Sequence, residues 1–208
     1  MCNSNVTVQK KILSLERGSI LFPSDFEGLA SDTAVRQTLS RMVKRGEIIR
    51  LTRGIYCLPR SNPSLGLDVI PPSVEEIAQR IAERDKVKII PTGDHALNQL
   101  GLSSQVPVNA VYITNGARKK IRLGEGRNIV FRESNEFRLF EFKSKIMMLV
   151  ISAMRSIGKD NLLDNIMTII RNIVNKETPE IYRHDLKLAP AWVRKKLEEN
   201  RGIGQKSE

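Results

Sequence analysis

Between residues 34 and 43 the apolar positions recur at helical spacing. Ala34, Val35, Leu39, Met42 and Val43 share one side of a helical wheel. Thr33, Arg36, Gln37, Ser40, Arg41 and Lys44 share the other, with Asp32 and Thr38 near the boundary. Ser31 is placed to cap this helix, because its hydroxyl accepts from the free amides of the first turn. Asp32 complements the helix dipole, and Gly46 supplies a left-handed stop. Beyond Gly46 the period shortens. "EIIRL" and "GIYCL" read as strands joined at "TRG", with Gly54 permitting a tight hairpin and Arg50 and Arg53 flanking its tip.

Upstream, "VTVQKKILSLER" (6–17) predicts a helix ended by Gly18, with Val8, Ile12, Leu13 and Leu15 as its apolar positions. "ILFPSDFEGLA" predicts a short helix capped by Ser24 or Asp25, with Phe26 and Leu29 facing inward. Downstream of Pro59, "RSNPSLGLDVIPP" is rich in Pro, Ser and Gly and reads as a linker over 61–72.

A second region begins at Ser73, which pairs with Glu76 in a capping-box pattern ahead of Ile77, Ala78, Ile81 and Ala82. "KVKIIPTG" predicts a strand, and "DHALNQLG" a short helix capped by Asp94 and stopped by Gly101. "NAVYITN", "KKIRL" and "RNIVFRE" predict three strands joined by Gly-containing turns. Three helical segments follow, in "FKSKIMMLVISAMRSIG", "NLLDNIMTIIRNIVNK" and "APAWVRKKLEEN", and residues 201–208 are expected to fray. Trp192, the only tryptophan, is expected to anchor the last helix by packing.

Charge sharpens this picture. The 208 residues carry a net charge of +11, an excess that favours a polyanionic partner because binding releases counterions from phosphates. Residues 1–60 hold ten basic and five acidic residues, and six of the ten basic ones fall between Arg36 and Arg53. Aromatic residues make up only 5%, so the core must be aliphatic. Cys2 and Cys57 form neither a disulfide framework nor a metal quartet, which fits a reducing cytoplasm. The N-terminus lacks a signal-peptide core, and no apolar run approaches the roughly 18 residues of a membrane span.

Three short helices followed by a hairpin form the layout of a winged helix-turn-helix, whose second motif helix enters the major groove while the hairpin touches backbone or minor groove. Arg36 and Arg41 suit guanine edges or phosphates, and Gln37 suits adenine. Thr33 and Ser40 are short enough for close approach. Lys44, Arg45 and Arg50 suit phosphates, and Arg53 at the wing tip suits the minor groove. A polar stripe also marks any solvated helix, but such a helix normally interleaves both signs of charge. The expected fold is therefore α+β: an N-terminal winged helix-turn-helix over 1–60 and a C-terminal α/β domain over 73–200 that ends in helices.

The stretch "RGSILFPSDFEGLASDTAVRQTLSRMVKRGEIIRLTRGIYCLP" resembles the winged-helix region of the AbiEi-like antitoxin family. "PSVEEIAQRIAERDKVKIIPTGDHALNQLGLSSQVPVNAVYITNG" and the closing "LAPAWVRKKL" resemble that family's second region. The resemblance implies the antitoxin of a type IV toxin–antitoxin system linked to abortive phage infection. It implies repression of its own operon through double-stranded operator repeats, met by two copies of the chain. It also implies a nucleotidyltransferase-like toxin as a functional partner, opposed without an obligatory stable complex. It supports DNA roles for Thr33, Arg36, Gln37, Ser40, Arg41, Lys44 and Arg53, and it assigns no catalytic residue, cofactor or metal.

Two rival readings stand beside this one. The basic helix and hairpin suit a stand-alone regulator or a module docking on protein or RNA. Asp94 and His95 suggest a general base, although a capping role for Thr92 or Asp94 accounts for the same residues. His184 beside Asp185 has no nucleophile at a useful spacing, and "LGEGRN" lacks the sequence context of a phosphate loop. The clusters at 118–122 and 194–196 read either as solvated faces or as an extension of a nucleic-acid footprint.

Overall fold

The computed structural model describes residues 4–62, 67–105, 107–124 and 126–199. They are mixed α and β. The chain divides into two units, residues 1–81 with 122–126, and residues 82–121 with 127–208. The expected tail, 201–208, and the middle of the expected linker lie outside the described residues.

In the first unit, α1 (Ser4–Leu13) stops earlier than its apolar pattern suggests. The segment before Pro23 contributes a short strand, β1 (Ile20–Leu21), that has no periodicity of its own. A single 3-10 turn, Pro23–Phe26, stands in place of the expected short α-helix, with the Asp25 carboxylate accepting from the Phe22 amide at 2.9 Å. Because the helical geometry ends there, Leu29 does not share the inward face of Phe26 and is 40% exposed. α2 (Asp32–Lys44) follows, then β2 (Ile49–Thr52) and β3 (Ile55–Cys57). β3 is central, antiparallel to β1 on one side and to β2 on the other. Val8 and Ile12 of α1, Leu21, Phe26, Val35, Leu39 and Met42 of α2, and Ile48, Tyr56 and Leu58 close one core, mainly aliphatic but with the aromatic rings of Phe26 and Tyr56 in it.

Parts of the expected linker, 61–72, form paired strands. β4 (Arg60–Asn62) and β5 (Leu67–Ile70) pair antiparallel, with Arg60 opposite Ile70. Neither strand contains Pro or Gly, and Leu67, Val69 and Ile70 are residues that favour strands. α3 (Val74–Asp85) starts with the expected capping box: Ser73 N donates to Glu76 Oε2 at 2.7 Å, and Glu76 N donates to Ser73 Oγ at 3.1 Å. Within the first unit, Glu76 also accepts from Arg60 at 2.8 Å. Arg80 pairs with Asp25 at 3.0 Å and lies over the Phe22 ring at 5.2 Å.

The second unit holds a four-stranded sheet in the order β6 (Ile89–Pro91), β7 (Asn109–Thr114), β9 (Asn128–Glu133), β8 (Lys119–Arg122). β7 pairs antiparallel with β6 but parallel with β9, from Asn109 opposite Asn128 to Thr114 opposite Glu133. Tyr112 stacks on Phe131 with ring centroids 5.8 Å apart. α4 (Gly93–Gln99) has Thr92, not Asp94, at its cap position, and no side chain makes the capping bond.

Four helices complete the unit: α5 (Lys145–Ile157), α6 (Asp164–Val174), α7 (Pro179–Leu188) and α8 (Ala191–Glu199). Their core gathers Met147, Val150, Met154, Met167, Ile170, Tyr182, Val193 and Leu197, with Trp192 packed against it as expected. The periodicity of the sequence does not predict α7.

Candidate nucleic-acid interface

The sequence of α2 sets both of its ends. Ser31 Oγ accepts from Ala34 N at 3.3 Å. At the other end Gly46, with φ +72°, donates to Val43 O, and Glu47 N donates to Met42 O, each at 3.0 Å. This is a Schellman closure, and it demands the left-handed backbone that glycine adopts cheaply. The helix is thus fixed in length and rotation, and its two faces are sharply different. Val35, Leu39 and Met42 are at most 2% exposed. Thr33, Arg36, Gln37, Ser40, Arg41, Lys44 and Arg45 are all exposed.

Thr38 belongs to the inner face. It is 3% exposed, and its hydroxyl donates to Ala34 O at 2.9 Å. That bond uses the hydroxyl's proton within the helix, and the short methyl-bearing side chain packs as core.

The hairpin projects two further cations. Ile49 stands opposite Cys57 and Arg50 opposite Tyr56, and the register then slips so that Thr52 faces Ile55. The slip carries the chain through Arg53 and Gly54, whose φ is +77°. Arg50 and Arg53 are exposed, and Arg50 Nε donates to Thr52 O at 3.4 Å. The exposed cations Arg41, Lys44, Arg50 and Arg53 have no ion pair among the described residues.

Two of the nine candidate residues are held in ion pairs. Arg36 Nε pairs with Asp32 at 2.7 Å, and this hydrogen bond and charge hold the guanidinium pKa above its ordinary value. Arg45 Nε pairs with Glu47 Oε1 at 2.9 Å, while Gln9 Nε2 reaches the other Glu47 oxygen at 3.3 Å. The signal for the first pair is the i, i+4 spacing of Asp32 and Arg36; reading Asp32 only as a dipole partner overlooks it.

Elsewhere the possible catalytic groups do not converge. Asp94 is exposed, whereas His95 Nε2 lies 2.8 Å from the Tyr112 hydroxyl and its ring packs edge-on against Tyr112. His184 Nδ1 faces Asp185 Oδ1 at 2.8 Å, but this carboxylate is committed to backbone: it also accepts from Lys143 N at 3.0 Å and Ser144 N at 2.8 Å. Among the described residues, no group of three or more His, Cys, Asp or Glu is arranged to hold a metal ion, and no helix is long and apolar enough to cross a membrane.

The architecture is therefore a mixed α/β protein presenting a basic helix-and-hairpin surface. Over residues 7–181 the chain matches the family of unknown function DUF6088, and it belongs to that family. No curated protein matches it.

Proposed function

We propose that the first unit is a winged helix-turn-helix module that binds double-stranded DNA in a sequence-dependent manner and represses transcription of its own operon. The observation that carries this reading is the outer face of α2. Every side chain from Thr33 through Arg36, Gln37, Ser40 and Arg41 to Lys44 is exposed and is either basic or a short or amide hydrogen-bonding group. Arginine, glutamine and short hydroxyl residues are the types that read base edges. The succession of α1, β1, the 3-10 turn, α2 and the β2–β3 hairpin supports reading α2 as the recognition helix and the Arg53 tip as the wing.

A mobility-shift titration on the DNA upstream of the gene tests this. Arg36→Ala with Arg41→Ala removes two groups that each supply about 1–3 kcal/mol of base discrimination, so preference for that DNA over a scrambled duplex should disappear while circular dichroism stays native. A double variant that keeps its preference excludes α2 as the reading helix.

The wider reading follows from the resemblance to AbiEi-like antitoxins. In it the second unit opposes a nucleotidyltransferase-like toxin encoded alongside, and the first unit sets the dose of both through repression. The α2 double variant would then lose repression but still protect cells that express the toxin. Loss of both effects in a folded variant would tie protection to DNA binding and reject this division of labour.

A further inference from the structure

Four cations of the second unit, Arg118, Lys119, Lys120 and Arg132, gather at one rim of its sheet. β8 is the edge strand beside β9. Arg118 and Lys120 on or just before β8, and Arg132 on β9, are exposed. With Lys119, Val130, Phe131 and Glu133 they line a groove of about 540 Å³. Lys119 is neutralised by Asp85. Arg118, Lys120 and Arg132 have no ion-pair partner among the described residues.

Basic residues on an edge strand protect it against pairing with another chain, and Arg118 and Lys120 serve that end whatever they bind. Arg132 does not fit this explanation. It sits on β9, an inner strand between β7 and β8, where its partner on β7 is Ile113. An unpaired guanidinium on an inner strand, facing the same groove as two unpaired cations of the edge strand, is placed for an external anion.

We propose that this groove is a second, sequence-independent contact for the phosphate backbone of double-stranded DNA. The choice of duplex follows from the one aromatic residue among those lining the groove. Phe131 is only 4% exposed, so the groove offers no aromatic ring on which an unpaired base could stack, as single-strand binders require. What remains is charge, which acts on phosphates and carries no base information. The proposal rests on the DNA-binding reading of the first unit and adds affinity to it, while α2 supplies the preference for sequence.

The test uses the full chain with two 30-base-pair duplexes, one from upstream of the gene and one scrambled, titrated across a series of salt concentrations. In the variant Arg118→Ala, Lys120→Ala, Arg132→Ala, affinity for both duplexes should fall by the same factor. The slope of log K against log salt should shrink by about 2–3, since each phosphate that a cation neutralises adds about 0.9 to it. Returning charge with Arg118→Lys and Arg132→Lys beside native Lys120 should restore the slope, which separates charge from any disturbance of the fold.

An unchanged slope and affinity in the triple variant, with wild-type preference for upstream DNA intact and lost in the α2 double variant, overturns this inference alone. Preference that survives in the α2 double variant overturns the earlier reading instead. Binding of a single-stranded RNA of equal length as tightly as the duplexes, with the same drop in the triple variant, overturns the assignment to duplex DNA.

Discussion

Arg36 Nε lies 2.7 Å from Oδ2 of Asp32, one turn earlier on α2, so the first arginine of the candidate face is held by a carboxylate of the same exposed surface. The two side chains are 61% and 70% exposed, and solvent screens such a pair strongly. The consequence is chemical more than energetic. Asp32 orients the guanidinium along the helix, and it places a negative charge where a phosphate or base edge would approach.

Asp32→Asn therefore separates orientation from repulsion. It removes the charge, frees Arg36 and leaves Ser31 as the cap. Affinity for duplex DNA should rise on the order of fivefold at low salt, with the gain shrinking as ionic strength increases. The measurement is a pair of titrations at two salt concentrations. A fall in affinity would mean that Asp32 acts chiefly by aiming Arg36.

Asp185 is fully buried, and its carboxylate joins α7 to the start of α5 through Lys143 N, Ser144 N and His184 Nδ1. Ser144 in turn caps α5 by accepting from Met147 N at 3.1 Å and donates its hydroxyl to Glu177 Oε1 at 2.6 Å. Asp185→Ala takes the acceptor from the buried Ser144 amide and from the Lys143 amide beside it, and should cost about 1–3 kcal/mol in urea unfolding. Asp185→Asn retains one oxygen acceptor and should cost less. Equal destabilisation in the two variants would point to charge, and none in either would contradict the anchoring role.

Acid should weaken the fold through two carboxylates. The Ser73 amide, followed by Arg60, holds Glu76 below the usual glutamate range. Burial pushes Asp85 upward, but hydrogen bonds and charge from Arg84 and Lys119 outweigh it and leave its pKa depressed. A depressed carboxylate stabilises the fold above its unfolded pKa, about 3.9 for Asp and 4.3 for Glu, and that contribution disappears as pH falls through the folded value. Stability should decline below about pH 5. Glu76→Gln or Asp85→Asn should flatten that decline in denaturant midpoints measured from pH 7 to pH 3. An unaltered slope in both variants would show that other groups govern the acid limb.

Cys57 is fully buried on β3, and burial pushes its thiol up to about 11, with Arg60 lowering and Glu76 raising it to a smaller extent. The thiolate is the reactive form. In a Cys2→Ser background, Cys57 should resist an aromatic disulfide reagent at pH 8 and react promptly once denaturant is added. Fast labelling of the folded chain would show that β3 opens far more readily than its core position implies.

The two faces of α2 and its caps were legible in the sequence because helical periodicity and capping are local. Hydrogen bonds four residues apart fix which side chains align, wherever the rest of the chain lies. The same logic reached the Ser73–Glu76 box and the burial of Ile77, Ala78 and Ile81. It misplaced Thr38, since one step of rotation on a wheel decides between boundary and core. It also missed α7, although Thr178 accepts from Ile181 N at 3.5 Å and Pro179 opens the helix, an N-terminal signal present in "ETPEIYRHDL". Charged residues through that segment obscured the apolar pair Tyr182 and Leu186.

By itself, then, the sequence determined the local elements: where α2 begins and ends, which of its sides is basic, and that strands follow Gly46. Only the tertiary structure decided the partners. It paired β7 with β9 in parallel, with β8 outside them at the edge, set 60–62 against 67–70, and drew β1 against β3. It also buried Asp185 beneath the start of α5 and brought Arg132 beside the cations of β8. Each of these joins residues distant in the chain, with loop-closure entropy to overcome before any bond forms. The outcome depends on which long-range contacts together overcome that entropy, and no short window of residues records it.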